Sequence, residues 1–314
     1  MKIPYGLIQT AWHSGDVVPF LGAGASLIGR SCPDEAWTLG SPFLPSAAEL
    51  AQYLARVSNL RSTDPQEISD LAKVSSYCAL VGGKRGLAAE LRKVFWCLQG
   101  GKPKFKPGAL HRCIAQVPCK QVIITTNYDD MLETALRDAG VQFDLMVYPA
   151  DHAAHSNEVM WQGHDEERKF VLPDKLPVDF EHLERTIVYK MHGSIAEIQN
   201  FESFVITEED YVNFLYRMTT GTAVPPLVLE YLANRSLLFL GYGLKDWNLR
   251  LILQNLSGII SDRARRRVDS FGKPVPSWAI QKSPSAMEED LWQGRNVLMF
   301  SEDLEVFAAA MCGQ

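Results

Sequence analysis

The chain has 314 residues, of which 46% are hydrophobic and 22% charged, with a net charge of −6. This is ordinary globular composition and excludes a disordered or fibrous chain. The length gives one large α/β domain or two smaller ones, able to bury a core without disulfide or metal. No apolar run approaches the roughly 18 residues of a membrane-crossing helix, and the acidic balance argues against direct nucleic-acid binding.

In chain order, Met1 to His13 lacks a long apolar core and a small-residue cleavage site, so no signal peptide and a cytoplasmic location are expected. Val17-Val18-Pro19-Phe20-Leu21 is an apolar run that stops at Gly22-Ala23-Gly24-Ala25-Ser26. Helices are predicted over Ala47–Val57, with Leu50, Tyr53 and Leu54 on the apolar side, and over Gly86–Leu98, with Leu87, Leu91, Val94 and Phe95. The next strand candidate, Gln121–Thr126, stops at Asn127; the gap of about 100 residues before it predicts a helical insertion near 45–110.

Asp129-Asp130 can cap a helix carrying Met131, Leu132, Ala135 and Leu136, with Gly140 past its end. The polar stretch 150–185, with His152, His155, His164, Asp165, Glu166 and Glu167, reads as a mobile flap. Thr186–Met191 is a third strand, stopping at His192-Gly193-Ser194. Ser236–Leu240 is a fourth, stopping at Gly241-Tyr242-Gly243, with Asp246 placed to cap a helix over Trp247–Leu256 ended by Gly258. The run Arg263-Ala264-Arg265-Arg266-Arg267 reads as a solvated loop. Ser277–Ile280 and Asn296–Phe300 are the last strand candidates. Near-continuous apolar strands alternating with helices predict an α/β fold with a parallel sheet covered on both faces.

The six cysteines (Cys32, Cys78, Cys97, Cys113, Cys119 and Cys312) form no Cys-x-x-Cys pair, so free buried thiols and no structural zinc are expected. A metal centre on His152, His155 and His164 fits no compact spacing, and no metal is expected.

Ligands of open parallel sheets bind outside the carboxyl ends of the strands. Here four strands end in a Gly-x-Gly turn, an Asn, a His-Gly and a second Gly-x-Gly, which makes one composite site the natural reading. Gly22 and Gly24 either let backbone approach a pyrophosphate or form a tight structural turn; Leu27 stands where a dinucleotide fingerprint has a third small residue. Asn127 either forms a turn or holds a water or ribose hydroxyl. Asp129 either caps a helix or holds an amide. His192 is either structural or a general base, since an unperturbed imidazole titrates near neutral pH. Gly241 and Gly243 either turn the chain or hold an adenosine ribose or phosphate.

Together, Phe20-Leu21-Gly22-Ala23-Gly24-Ala25-Ser26, Thr125-Thr126-Asn127-Tyr128-Asp129, His192-Gly193-Ser194 and Leu240-Gly241-Tyr242-Gly243 with Asp246 resemble the sirtuin-like domains of bacterial anti-phage defence effectors, in order and spacing, over residues 14 to 310. The resemblance implies a single sirtuin-like catalytic domain over 1–314, a Rossmann-like doubly wound parallel sheet with the helical insertion, that binds NAD as substrate. It implies hydrolysis of NAD to nicotinamide and ADP-ribose by an NAD-depleting, abortive-infection effector.

It makes Asn127 and His192 the catalytic pair. Asp129 would line the nicotinamide pocket beside Thr126, Gly22, Ala23, Gly24 and Ser26 would cradle the phosphates, and Gly241, Gly243 and Asp246 would serve the adenosine side. It further implies a homo-oligomer and control by a sensor or activator protein or a C-terminal sensor domain. The deacylase branch of sirtuins carries a four-cysteine zinc site and a Gly-Ile-Pro-Asp-Phe-Arg run; this chain has neither, with Leu27-Ile28-Gly29-Arg30-Ser31-Cys32-Pro33-Asp34 in place of the run. The alternatives are a non-catalytic NAD or ADP-ribose sensor module and a zinc-free lysine deacylase.

Overall fold

The computed structural model describes residues 2–30, 35–95, 98–99, 102–103, 105–150, 155, 157–195, 203–219, 223–242 and 276–313. Its centre is a nine-stranded sheet. The strands are β1 (Val17–Leu21), β2 (Val122–Thr125), β3 (Phe143–Val147), β4 (Val159–Gln162), β5 (Lys169–Val171), β6 (Thr186–Lys190), β7 (Ser236–Leu240), β8 (Ser277–Gln281) and β9 (Val297–Ser301). Their spatial order is β9-β8-β7-β1-β2-β6-β3-β4-β5. All pairings are parallel except β3–β4 and β4–β5.

β1, β2, β6 and β7 are buried at every position, which is why they read as unbroken apolar runs. Side chains alternate between two cores. Val18, Phe20, Ile124, Tyr189 and Phe239 face α6 (Glu208–Thr219) and α7 (Pro226–Ala233), which supply Phe214, Val228 and Leu232. Val17, Leu21, Ile123, Val188 and Leu238 face Trp12 of α1 (Tyr5–His13), Leu110 of α4 (Ala109–Ala115), Leu136 of α5 (Met131–Asp138) and Phe307 of α9 (Leu304–Cys312), which follows α8 (Ala286–Gln293) and β9. The expected Rossmann-like doubly wound architecture is therefore observed. The chain builds β2, β6 and β3 to one side of β1 and β7 to β9 to the other, so β1 marks the topological switch point.

Helix α2 (Ala47–Val57) forms where predicted. Ser46 and Glu49 close a reciprocal capping box at its start, and Arg56 lies in its last turn. Helix α3 (Leu71–Phe95) begins well before the predicted Gly86, crosses a kink at Gly83 (φ 70°, ψ 165°) and ends at Phe95; Leu98 lies instead in a short strand. The kink hides the helix from a periodicity reading, because the apolar face shifts across it. α2 and α3 share a core with Trp37, and it reaches Ile195, Phe204 and Ile206, just past His192.

Two expectations are corrected. The polar stretch 150–185 contains β4 and β5, an antiparallel extension of the sheet with Val159, Met160 and Trp161 buried, so it is not a flap. Cys113 and Cys312 form a disulfide rather than free thiols, because α4 and α9 pack together across 199 residues of sequence. Cys78 and Cys119 are free, and Cys32 and Cys97 lie outside the described residues. So do Gly243, Asp246, the predicted helix Trp247–Leu256 and the arginine run 263–267. Among the described residues no helix is long and apolar enough to cross a membrane.

Candidate functional site

Strand register brings the predicted residues that are described to one edge. Leu21 pairs with Thr125 on one side and Leu240 on the other, and Thr125 pairs with Lys190. The ladder continues one step beyond: Gly22 N–H donates to Leu240 O (2.9 Å), Thr126 N–H to Leu21 O (3.0 Å) and Met191 N–H to Thr125 O (2.9 Å). Asn127 and His192 each lie two residues past the Thr125–Lys190 pair, on neighbouring strands.

Asn127 is buried. Its amide Nδ2 donates to Gly22 O (3.0 Å) and Ser26 Oγ (2.9 Å), and its backbone N–H to Thr125 Oγ1 (3.0 Å). Because a carbonyl oxygen can only accept, Gly22 O fixes which end of the amide points inward. Oδ1 is left as the end able to meet a water or hydroxyl. Ser26 Oγ donates onward to Asp129 Oδ2 (2.8 Å), and Asp129 Oδ1 accepts from Met131 N–H (3.1 Å). Asp129 thus caps α5 with its side chain, whereas Asp130, at the N-cap position, makes no side-chain cap bond.

The two glycine turns pack backbone to backbone. Gly24 N–H donates to Gly241 O (2.8 Å). A Cβ on Gly22 or Gly24 would stand 2.8 Å from Gly241 O, and one on Gly241 (φ +79°) 2.2 Å from Ala25 N. The Gly22 and Gly24 amides are committed to β7 and Gly241. These glycines serve by having no side chain, and Ala23 between them is exposed.

Sequence reasoning passed over Tyr242. Its hydroxyl donates to Leu21 O (2.9 Å) and lies 3.1 Å from Thr126 Oγ1, and its ring lies over Gly22 and against Phe20. The only signal was its place between two glycines at a strand end.

His192 is buried, and its ring meets Tyr211 and Phe214 of α6 edge-on, at 5.6 and 5.2 Å between centroids. Nε2 has no hydrogen-bond partner among the described residues. Burial pushes the imidazole down to about 3, so the ring is neutral at physiological pH; the expectation of a base near its ordinary value is corrected. The His192 carbonyl accepts from Val205 N–H (2.9 Å). Gly193 (φ +84°) follows in a turn where a Cβ would stand 1.9 Å from Ser203 O, so only glycine fits.

Two of the three histidines weighed for a metal centre are engaged elsewhere. His155 stacks on Phe170 and pairs with Glu158, His164 lies 3.3 Å from Asp165 Oδ2, and His152 is outside the described residues. Among the described residues no group of three or more His, Cys, Asp or Glu is placed to hold a metal.

This arrangement defines a Rossmann-like α/β domain with a candidate site at the carboxyl edge of the sheet, beside the switch strand. The model of the SIR2-like domain family matches residues 121–300, more than half of the chain, and the chain belongs to that family. Curated relatives include defense-associated sirtuin 2 of Bacillus subtilis, 24% identical over 168 residues (54% of this chain, 13% of the relative). Two proteins named NAD(+) hydrolase ThsA also match. That of Enterococcus faecium is 25% identical over 206 residues (64% of this chain, 35% of the relative), and that of Cytobacillus dafuensis 26% over 164 residues (52% and 26%). The chain therefore spans only a minority of the length of each of these relatives.

Proposed function

We propose that this domain hydrolyses NAD to nicotinamide and ADP-ribose, as the names of its NAD(+) hydrolase relatives suggest, and serves as an anti-phage effector in abortive infection. The observation that supports the reading is that Asn127 and His192 each follow the Thr125–Lys190 pair by two residues on neighbouring strands, with Asn127 tied to the first of the interlocked glycine turns of β1 and β7. Cleaving the ribosyl–nicotinamide bond develops positive charge on the ribose, while nicotinamide leaves neutral and needs little acid catalysis. Asn127 Oδ1 orients a water or ribose hydroxyl against that carbon. Neutral His192 accepts a hydrogen bond at Nε2 from that water and takes its proton as it adds to the cation, whose attack makes the water strongly acidic.

Asp129 stands at the nicotinamide end beside Thr126, and the turn Gly22-Ala23-Gly24 with Ser26 lies against the pyrophosphate. Gly241 stands on the adenosine side, with Gly243 and Asp246 after it in sequence. Residues 1–314 act as one catalytic domain, the helices near 45–110 being an insertion in it. An enzyme that drains NAD in the cytoplasm needs a silent state, so we assign its control to self-assembly or to a sensor partner.

The test is release of nicotinamide and ADP-ribose by purified protein over a wide concentration range, with Asn127→Ala and His192→Ala as controls. Release that both substitutions remove supports the reading, and a steep concentration dependence supports control by assembly. Wild-type release by either variant overturns the assignment of the pair. NAD binding without cleavage under activating conditions would instead make the domain a sensor module, and release only with an acylated peptide would make it a deacylase.

A further inference from the structure

Lys190 closes β6 two residues before His192, and no part of it reaches solvent. Its ammonium donates to the backbone carbonyl of Asp129, lies 3.5 Å from that of Tyr128 and pairs with Glu133 Oε1 at 2.8 Å. Both carbonyls belong to the residues directly after Asn127. Glu133, in the first turn of α5, is equally buried, and its second oxygen has no hydrogen-bond partner among the described residues.

A buried ion pair of this kind is weak evidence for stability, since apolar side chains of similar volume fill such a space as well or better. No apolar side chain, however, can hold two carbonyls. The loop from Asn127 to Asp129 is clamped at one end by Gly22 O and Ser26 Oγ on the Asn127 amide, and at the other by Lys190 on the peptide oxygens.

We propose that Lys190 is a positioning residue for the reaction: its ammonium fixes the Tyr128–Asp129 backbone so that Asn127 Oδ1 faces the scissile bond, with Glu133 as its counter-charge. This rests on the NAD-hydrolase reading above.

Lys190→Met alone strands a buried carboxylate and is expected to fold poorly. The informative variant removes both charges, Lys190→Met with Glu133→Met. The expected result is a melting temperature within about 5 °C of wild type, NAD affinity by calorimetry within about threefold, and kcat lowered about 10²-fold, the scale set by misplacing a catalytic group by an ångström. Glu133→Gln alone, which keeps an acceptor for Lys190, is expected to retain kcat within about tenfold. A double variant that melts normally and turns over NAD at the wild-type rate overturns the proposal, because a purely structural pair would behave in that way.

If the wild-type protein cleaves no NAD, the functional reading fails, and hydrogen exchange still tests the anchor. Amides 126–131 should exchange at least about tenfold faster in the double variant, with the rest of the sheet unchanged. Unchanged exchange there overturns it.

Discussion

Ser26 Oγ donates to Asp129 Oδ2 at 2.8 Å, a bond across 103 residues that ties the turn after β1 to the start of α5. The same hydroxyl accepts from Asn127 Nδ2 at 2.9 Å. One serine therefore sits between the amide proposed to orient the nucleophile and the carboxylate proposed to stand at the nicotinamide end. Both side chains take their rotamers from a buried group that touches neither strand β2 nor β6 by sequence proximity.

Ser26→Ala removes that node and leaves Asn127 Nδ2 and Asp129 Oδ2 each short of a buried partner. The expected loss of stability is about 1–3 kcal/mol, with NAD cleavage reduced about tenfold or more. Urea unfolding and nicotinamide release on the same preparation check both. Ser26→Thr, which keeps the hydroxyl, should recover part of the activity.

His192 gives the protein an acid sensitivity of known sign. Its imidazole titrates near 6.5 when unfolded and at about 3 when folded, so the unfolded chain binds the extra proton between those values. The stabilisation is complete above about pH 6.5 and is lost as pH falls toward 3. Between pH 7 and 5 this one group should remove about 2 kcal/mol. His192→Phe, which keeps the ring contacts with Tyr211 and Phe214, should lose that part of the slope in denaturant titrations at the two pH values. An identical slope in the variant would contradict the assignment.

The glycines separate into two classes. Gly241→Ala puts a Cβ 2.2 Å from Ala25 N at φ +79°, and Gly193→Ala one 1.9 Å from Ser203 O at φ +84°. Each should destabilise by about 2 kcal/mol or more. Gly86→Ala, inside α3 with nothing within 4 Å of its Cβ, should stabilise by about 0.5–1 kcal/mol. Thermal unfolding of the three single variants ranks them.

At the start of α2, burial pushes the Glu49 carboxyl up, but hydrogen bonds from Arg30, Ser46 N–H and Trp37 N–H outweigh it and hold the group at about 2. Its contribution is present above about pH 4.5 and is lost on acidification toward 2. Ser46→Ala should cost about 1 kcal/mol at pH 7. Glu49→Gln should cost more, since Arg30 loses a two-pronged partner. Denaturant midpoints at pH 7 and pH 3 test both, with the Glu49→Gln difference shrinking at the lower pH.

The strands that carry the site were legible because both their faces are buried, so each is an uninterrupted apolar word ending in glycine, asparagine or histidine. β4 and β5 were not, because an antiparallel edge needs little apolar length and their flanks are charged. The neutral state of His192 was hidden because Tyr211 and Phe214 arrive from a later helix. In the sequence Lys190 is one more strand residue, since nothing local shows that Glu133 and two carbonyls wait for it. The Cys113–Cys312 bond was out of reach for the same reason, its partners being joined only by the packing of α4 on α9.

The order of the strands also sets when the site can exist during synthesis. Until residue 240 has left the ribosome, β1 lacks β7, Gly24 N–H lacks its Gly241 acceptor, and the first glycine turn has nothing to close against. Domains assemble from the amino end as they are made, so Asn127 and His192 can be in place while the wall opposite them is still missing. A ribosome-bound or prematurely ended chain would thus lack the wall that Gly241 and Tyr242 build against the first glycine turn, a delay that comes from topology alone.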